Sequence, residues 1–335
     1  MAAVHAADHT PDAPLQERLY RTMRLIRRFE ERVVKLVNDD EIAGVTHEYI
    51  GQEAVATGIC SVLTNDDVIT STHRGHGHLL AKGGDPARMM AELMGRTSGY
   101  NRGRGGSMHI ADVALGIYGA NGIVGAGVPF AAGAAWVARR RGTDRVAVAF
   151  FGDGAINQGV LLETLNLASI WSLPLLFACE NNQYAVTMSS AQSTAGDPVT
   201  RARGFGIHAL AVDGMDVEAV RAATDDLVGA MRRGGGPAFI ECKTYRFVGH
   251  HTAERTMKLT YRTAEEIASW MAKDPLNLQA GRIGAEATER LDAEVEAQLE
   301  AAIEFARQAP VPDRESALDD MYANPQPGLP AKGWA

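Results

Sequence analysis

The sequence predicts an α/β fold in which helices cover both faces of a mostly parallel sheet. Apolar runs of strand length alternate with segments of helical periodicity along most of the chain, a pattern typical of such folds. Two of these runs are apolar throughout, as expected for strands buried on both faces. The chain has 335 residues, of which 46% are hydrophobic, so it can form a large core.

The N-terminal part is predicted to be mainly helical, because apolar residues such as Leu19, Met23 and Ile26 recur at helical spacing. The expected elements are a flexible leader (residues 1–14), an amphipathic helix (15–38), a second helix (52–63) and a short strand (68–71). Two segments, 99–109 and 119–127, then contain too much glycine for regular structure. We expect loops there whose backbone approaches another group closely.

The middle of the chain contains the clearest strand–helix–strand unit. Its expected elements are a small-residue helix (130–140), a strand (145–151), a helix ending near Trp171, a second strand (175–179), and further strands (207–212 and 238–244) flanking a helix (217–232). We therefore predict an α/β domain over 15–260 with N-terminal helices. A helical extension with a Pro/Gly-rich tail follows over 261–335, as part of the same structural unit.

Charge and cysteine content restrict the class of protein. The net charge of -8 argues against non-specific nucleic-acid binding. The chain has no apolar run long enough to cross a membrane, and its N-terminus resembles neither a signal nor a transit peptide. Cys60, Cys179 and Cys242 are odd in number and widely spaced, which favours reduced thiols. We expect a soluble cytoplasmic protein.

Polar residues follow the two fully apolar strands. Gly152-Asp153-Gly154 ends the first, and Glu180-Asn181-Asn182 ends the second. Ligands bind beyond the carboxyl ends of parallel strands, and carboxylate and amide oxygens suit Mg²⁺. Gly-Asp-Gly alone is more typical of a tight turn with an aspartate cap. The matching Asn-Asn pair after the next strand instead favours a magnesium–diphosphate site.

These motifs identify a family resemblance. From Tyr20 to Leu276 the chain resembles the α-subunits of the thiamine-diphosphate-dependent two-oxo-acid and acetoin dehydrogenase family. The segments that carry the resemblance are His47–Ala54, Gly105–Ile110, Gly122–Gly125, Gly152–Gly159, Glu180–Tyr184, Val212–Asp216 and Thr244–His250. The resemblance implies the thiamine-diphosphate-binding fold.

The resemblance also implies roles for individual residues. Magnesium would be held by the side chains of Asp153 and Asn182 and the carbonyl of Tyr184. The diphosphate would receive the backbone N–H groups of Gly154 and Ala155 and the guanidinium groups of Arg74 and Arg246. Gly122 and Val124 would contact the aminopyrimidine ring, and His76 and His250 would be catalytic histidines near the thiazolium C2.

The implied reaction is the cleavage of acetoin to acetaldehyde, leaving a hydroxyethyl unit on the cofactor that passes oxidatively to a lipoyl group. The alternative is oxidative decarboxylation of pyruvate or a branched-chain two-oxo acid. The segment Ser71–His78 resembles the acetoin branch, whereas the pyruvate branch usually has Tyr at the position of His73. We therefore favour acetoin as the small-molecule substrate.

The resemblance further implies partners. Thiamine catalysis needs a carboxylate from a second, pyrimidine-binding domain, and no α/β half of similar size remains after about residue 260. We expect a separate β-subunit in an α2β2 heterotetramer, feeding a lipoyl-bearing acyltransferase core, and we expect the α-chain alone to be inactive.

Three other interpretations have less support in the sequence. A zinc site at His73, His76 and His78 would require the loop to turn correctly, and no cysteine lies nearby. The roles of His73, His78 and His251 stay open. A nicotinamide dehydrogenase lacks support because no Gly-x-Gly-x-x-Gly follows the first strand. A cofactor-binding relic would be expected to have lost ligands, and none of the expected ligands is missing.

Overall fold

The computed structural model describes residues 14–257 and 259–318. The Pro/Gly-rich tail and nearly all of the expected leader lie outside these residues. The predicted domain boundaries stay predictions. None of the helices among the described residues combines the length and apolar character needed to cross a membrane.

A five-stranded sheet forms the centre of the molecule, and every neighbouring pair of its strands is parallel. The strand order is β1-β2-β3-β7-β6. The strands are β1 (Val68–Thr70), β2 (Ala147–Gly152), β3 (Leu175–Asn181), β6 (His208–Asp213) and β7 (Ala238–Lys243). The predicted α/β class with a mostly parallel sheet is confirmed. A separate antiparallel pair, β4 (Tyr184–Ala185) and β5 (Met188–Ser189), follows β3.

Twelve α-helices surround the sheet within the described residues. They are α1 (Leu15–Asn38), α2 (Glu53–Cys60), α3 (His76–Ala81), α4 (Pro86–Leu93), α5 (Gly127–Arg141), α6 (Gly159–Ile170), α7 (Ser190–Ser193), α8 (Pro198–Arg203), α9 (Val217–Arg232), α10 (Ala264–Met271), α11 (Pro275–Ile283) and α12 (Ala285–Gln308). The short helices α3, α4, α7 and α8 were not predicted, because each is too short to show helical periodicity in the sequence.

The two faces of the sheet form separate apolar cores, because successive side chains of a strand point to opposite faces. Val148 and Phe150 of β2 pack into the core beneath α1, α2 and α9. Ala149 and Phe151 pack into the core beneath α5 and α6. Burial on both faces explains why β2 and the first five residues of β3, Leu175–Cys179, are apolar.

The N-terminal and C-terminal helices pack against each other. Ion pairs connect α1 to α12, with Arg24 to Asp292 at 2.8 Å and Arg32 to Glu296 at 2.9 Å. Leu299 and Ile303 of α12 join the same core as Phe29 of α1. The charged C-terminal helices therefore close one face of the α/β unit.

Candidate active site

The candidate site lies at the carboxyl ends of β2 and β3. The register pairs Gly152 with Glu180, so the segments that follow both strands open at the same edge of the sheet. A cavity of about 380 Å³ opens at this edge. Its wall includes Arg74, Gly122, Val124, Asp153, Gly154, Ala155, Asn182, Tyr184 and His250. The structure thus brings these predicted residues together; the other two, His76 and Arg246, are not on the wall.

Asp153 and Asn182 present oxygen atoms suited to a hard cation. Asp153 is buried, and its Oδ2 makes no hydrogen bond with any residue that the structure describes. Burial raises the pKa of its carboxyl group to about 6. The Asn182 Nδ2 donates to Gln52 Oε1 at 3.1 Å, which orients the amide. A buried carboxylate oxygen without a partner is costly, so the site fits a bound Mg²⁺.

The loop after Asn182 has a constrained backbone. Gln183 and Val186 both adopt positive φ, 74° and 54°, which is uncommon for residues other than glycine. Tyr184 lies between them, and its backbone N–H donates to Asn182 Oδ1 at 3.2 Å. Its hydroxyl donates to Glu266 of α10, so both the backbone and the side chain of Tyr184 are held in place.

Gly154 begins the turn after β2, inside a 3-10 helix over Asp153–Asn157. A Cβ atom at Gly154 would lie 2.9 Å from the Cβ of Ala185, closer than ordinary van der Waals contact. The absence of a side chain lets the two loops meet and leaves the backbone of Gly154 and Ala155 on the cavity wall. The cradle fits a diphosphate group.

Two buried guanidinium groups lie close to this cradle. Arg246 donates from Nη2 to the Val186 carbonyl at 2.8 Å, but its buried Nε and Nη1 find no acceptor in the described part of the chain. Arg74 donates to the carbonyls of Glu48 and His250. Burial and then the charge of Arg246 lower the pKa of Arg74 to about 10, so it stays protonated at neutral pH. Two buried cations, one of which has unused donors, fit an anionic ligand.

Three imidazole rings converge on the cavity wall. The ring centroids of His47 and His73 are 4.8 Å apart, those of His47 and His250 are 4.9 Å apart, and those of His73 and His250 are 5.2 Å apart. Desolvation, reinforced by neighbouring cationic or imidazole groups, lowers the pKa of His47 and His250 to about 2 and that of His73 to about 3. All three rings are therefore neutral at physiological pH.

Sequence reasoning missed His47. The residue opens one of the segments that carry the family resemblance, but it lies 26 residues before His73 and 203 before His250. Only tertiary folding brings the three rings together, so the spacing of these histidines in the sequence does not predict the cluster. The position at the head of that segment was the one available hint.

His76 and His78 lie behind the wall rather than on it. Both belong to α3 and are fully buried. The ring nitrogens of His76 contact Glu30 Oε2 at 2.9 Å and Ser107 Oγ at 2.8 Å. His78 lies between Ser71 and Glu180. His76 and His78 belong to helix α3, which directs their side chains away from His73. The rings of His73, His76 and His78 therefore do not converge. His251 lies beside His250, with ring centroids 5.6 Å apart.

The chain is similar to known proteins over most of its length. The dehydrogenase E1 component family matches residues 21–315. The α-subunit of acetoin:2,6-dichlorophenolindophenol oxidoreductase from Cupriavidus necator is 47% identical over 91% of this chain and 93% of the relative. Its counterpart from Bacillus subtilis is 41% identical over 92% of this chain and 94% of the relative.

Other relatives carry a different name. The pyruvate dehydrogenase E1 component subunit α from Zymomonas mobilis is 44% identical over 91% of this chain and 86% of the relative. Among solved structures, a transketolase from Campylobacter jejuni aligns with a TM-score of 0.57 at 16% identity, covering 86% of this chain and 49% of that chain. This likeness concerns the fold alone. The chain belongs to the dehydrogenase E1 component family of thiamine-diphosphate-dependent oxidoreductases.

Proposed function

We propose that this chain is the α-subunit of an acetoin dehydrogenase that uses thiamine diphosphate and Mg²⁺. It would cleave acetoin to acetaldehyde and pass the remaining two-carbon unit oxidatively to a lipoyl group. The observation that carries the proposal is one cavity lined by an unpartnered Asp153 carboxylate oxygen, Arg74 and a wall of neutral imidazoles. The names of two relatives, at 47% and 41% identity, support acetoin as the substrate.

In this proposal the residues divide between cofactor and substrate. Asp153, Asn182 and the Tyr184 carbonyl would hold Mg²⁺. The backbone of Gly154 and Ala155, with Arg74 and Arg246, would hold the diphosphate, while Gly122 and Val124 would contact the aminopyrimidine. When bound, thiamine diphosphate supplies a nucleophilic carbon for the substrate carbonyl and then an electron sink.

The three imidazole rings on the cavity wall would exchange protons and hydrogen bonds with the substrate. A neutral imidazole donates from one nitrogen and accepts at the other, so His47, His73 and His250 can hydrogen-bond both oxygens of a hydroxyketone. Acetoin carries no charge and requires no cation, whereas a two-oxo acid carries a carboxylate. His76 would act through Ser107 as a positioning residue, because its ring lies behind the cavity wall.

A β-subunit would complete the site. Ile123 and Val124 line the cavity and are 71% and 47% exposed, and Phe130 on α5 is 64% exposed. Large apolar side chains around a cavity mouth are typical of a surface that a partner covers. We propose an α2β2 heterotetramer that feeds a lipoyl-bearing acyltransferase core in the cytoplasm, where the buried free thiols of Cys60, Cys179 and Cys242 would stay reduced.

Dye reduction by the tagged native complex tests the substrate. The complex would receive Mg²⁺ and thiamine diphosphate with acetoin, pyruvate or a branched two-oxo acid. We expect acetoin to reduce the dye and the oxo acids to be poor substrates. Activity with pyruvate alone would overturn the proposal that acetoin is the substrate. It would favour the alternative, a pyruvate dehydrogenase, which is also the name of the 44% identical relative. The chain without its partner should not turn over any of them.

A further inference from the structure

The cluster of His47, His73 and His250 could bind a transition metal as well as a substrate. One nitrogen atom from each of His47, His73 and His250 lies within 4.8 Å of the other two. Three histidines with a fourth position open to a cavity are a known arrangement for zinc. We propose that these three residues bind one transition-metal dication of the zinc and cobalt(II) class, at a site separate from Asp153 and Asn182.

The hydrogen-bonding state of the rings supports this proposal. His47 is 8% exposed, and its Nδ1 is buried without a hydrogen-bond partner among residues 14–257 and 259–318. Within the described part of the chain, the ring of His250 makes one polar contact, 3.4 Å to Arg74 Nη2, and this contact is weak at that distance. Metal ligation requires deprotonated imidazole, and desolvation keeps all three rings neutral at neutral pH. The lone pairs are therefore available.

The two cation sites differ in chemical preference. Imidazole nitrogen suits zinc, cobalt and nickel, whereas the carboxylate and carbonyl oxygens near Asp153 suit magnesium. Excess Mg²⁺ should therefore fill the oxygen site without displacing a metal from the histidines. The guanidinium of Arg74 lies against His250 and opposes a dication, so we expect micromolar rather than nanomolar affinity.

Titration with Co²⁺ tests the site in the full chain purified with its partner subunit, in excess Mg²⁺. We expect one Co²⁺ per α-chain, visible ligand-field absorption and an imidazole nitrogen shell by X-ray absorption. His47→Gln, His73→Gln and His250→Gln should each weaken binding by on the order of 100-fold, the upper range for disturbing a metal's ligand environment. His208→Gln, on the exposed part of β6, and Asp153→Asn should bind Co²⁺ as tightly as the wild type.

An all-oxygen shell, no stoichiometric binding, or loss of binding in Asp153→Asn would overturn the proposal. The absorption spectrum of the wild type needs no variant, so a variant that fails to fold does not obscure the result. Zn²⁺ at this site would occupy the lone pairs of all three rings and should stop acetoin-dependent dye reduction. That last consequence rests on the proposed function, whereas metal binding is measured without substrate.

Discussion

His73 is the residue at which substrate preference can be tested most directly. It lies on the cavity wall against His47 and His250, at the position where the family resemblance implies Tyr in the pyruvate branch. His73→Tyr replaces a ring that both donates and accepts with a hydroxyl on a longer arm. We expect the ratio of kcat/KM for acetoin to that for pyruvate to fall by about 10- to 100-fold, the effect of one or two lost hydrogen bonds.

Steady-state kinetics with both substrates measure this ratio, and His251→Tyr, one residue beyond the wall residue His250, provides a neighbouring comparison. An unchanged ratio in His73→Tyr, with both activities retained, would remove His73 as a determinant of specificity. A fall of both activities in parallel would instead indicate damage to the cofactor site.

The same histidines make stability depend on pH. Desolvation lowers the pKa of His47 and His250 to about 2 and that of His73 to about 3, below the value of about 6.5 in an unfolded chain. Below about pH 6.5 the unfolded chain therefore binds protons that the folded chain does not. The free energy of unfolding should fall as pH decreases from about 6.5 towards about 3, and the contribution is fully present only above about pH 6.5.

Urea unfolding at about pH 7.5 and about pH 5.5 measures this dependence, which should reach about 1 kcal/mol per histidine at the lower pH. His47→Gln should reduce the difference between the two pH values, because glutamine binds no proton in either state. An equal difference in wild type and variant would contradict the assigned pKa direction.

Site residues that directly follow a recognisable strand could be predicted from the sequence. Asp153 follows the apolar strand β2, and Asn182 follows β3, whose first five residues are apolar, so the sequence alone indicated that the two residues share an edge of the sheet. His47 and the buried position of His76 were not predictable, because each depends on contacts between segments far apart in the chain. Glu30, for example, reaches His76 from α1.

At the scale of elements, one buried carboxylate holds the glycine-rich loop over residues 99–109. Glu92, at the end of α4, accepts through Oε2 from the backbone N–H groups of Asn101 and Gly103 at 2.7 and 2.9 Å. Its Oε1 accepts from Gly105 and Gly106 at 2.7 and 3.1 Å. The loop continues to Ser107, which contacts His76, and to Met108 on the cavity wall.

Glu92→Gln should loosen this loop. The amide replaces one acceptor oxygen with a donor that faces backbone N–H groups, so we expect a loss of about 2 kcal/mol in the free energy of unfolding. Hydrogen exchange at residues 101–106 should increase, while exchange in β2 and β3 should not. Glu163→Gln, on the exposed face of α6, is the matched control. Unchanged exchange at 101–106 would show that Glu92 does not hold the loop.

This loop also shows why some elements escaped prediction. The glycine content indicated a loop, but its conformation depends on Glu92, which the sequence does not connect to it. The strands β2 and β3 were predictable because burial on both faces makes β2 and the first five residues of β3 apolar. The pair β4 and β5 has two residues in each strand, too few for any alternation to be visible.

At the scale of the whole molecule, the order of the strands could not be predicted. Strand β7 lies between β3 and β6, and alternating strands and helices permit several orders. The helical C-terminal part was predicted as helix, but its packing of α12 against α1 and α4 came only from the structure. The surface that would meet a β-subunit has no sequence signal of its own, because single exposed apolar residues are common.

We propose that the edge of the sheet at Asp153 and Asn182 holds thiamine diphosphate through a divalent cation. The most direct measurement is calorimetric titration of thiamine diphosphate into the purified complex, with and without Mg²⁺, for wild type, Asp153→Asn and the control Asp144→Asn. Asp144 is exposed and lies before β2. We expect Mg²⁺-dependent binding in wild type and control, and at least about 100-fold weaker binding in Asp153→Asn, as for the loss of a buried charged contact worth about 3 kcal/mol. Binding that is independent of Mg²⁺, or equally tight in Asp153→Asn, would show that Asp153 does not hold the cofactor through a divalent cation.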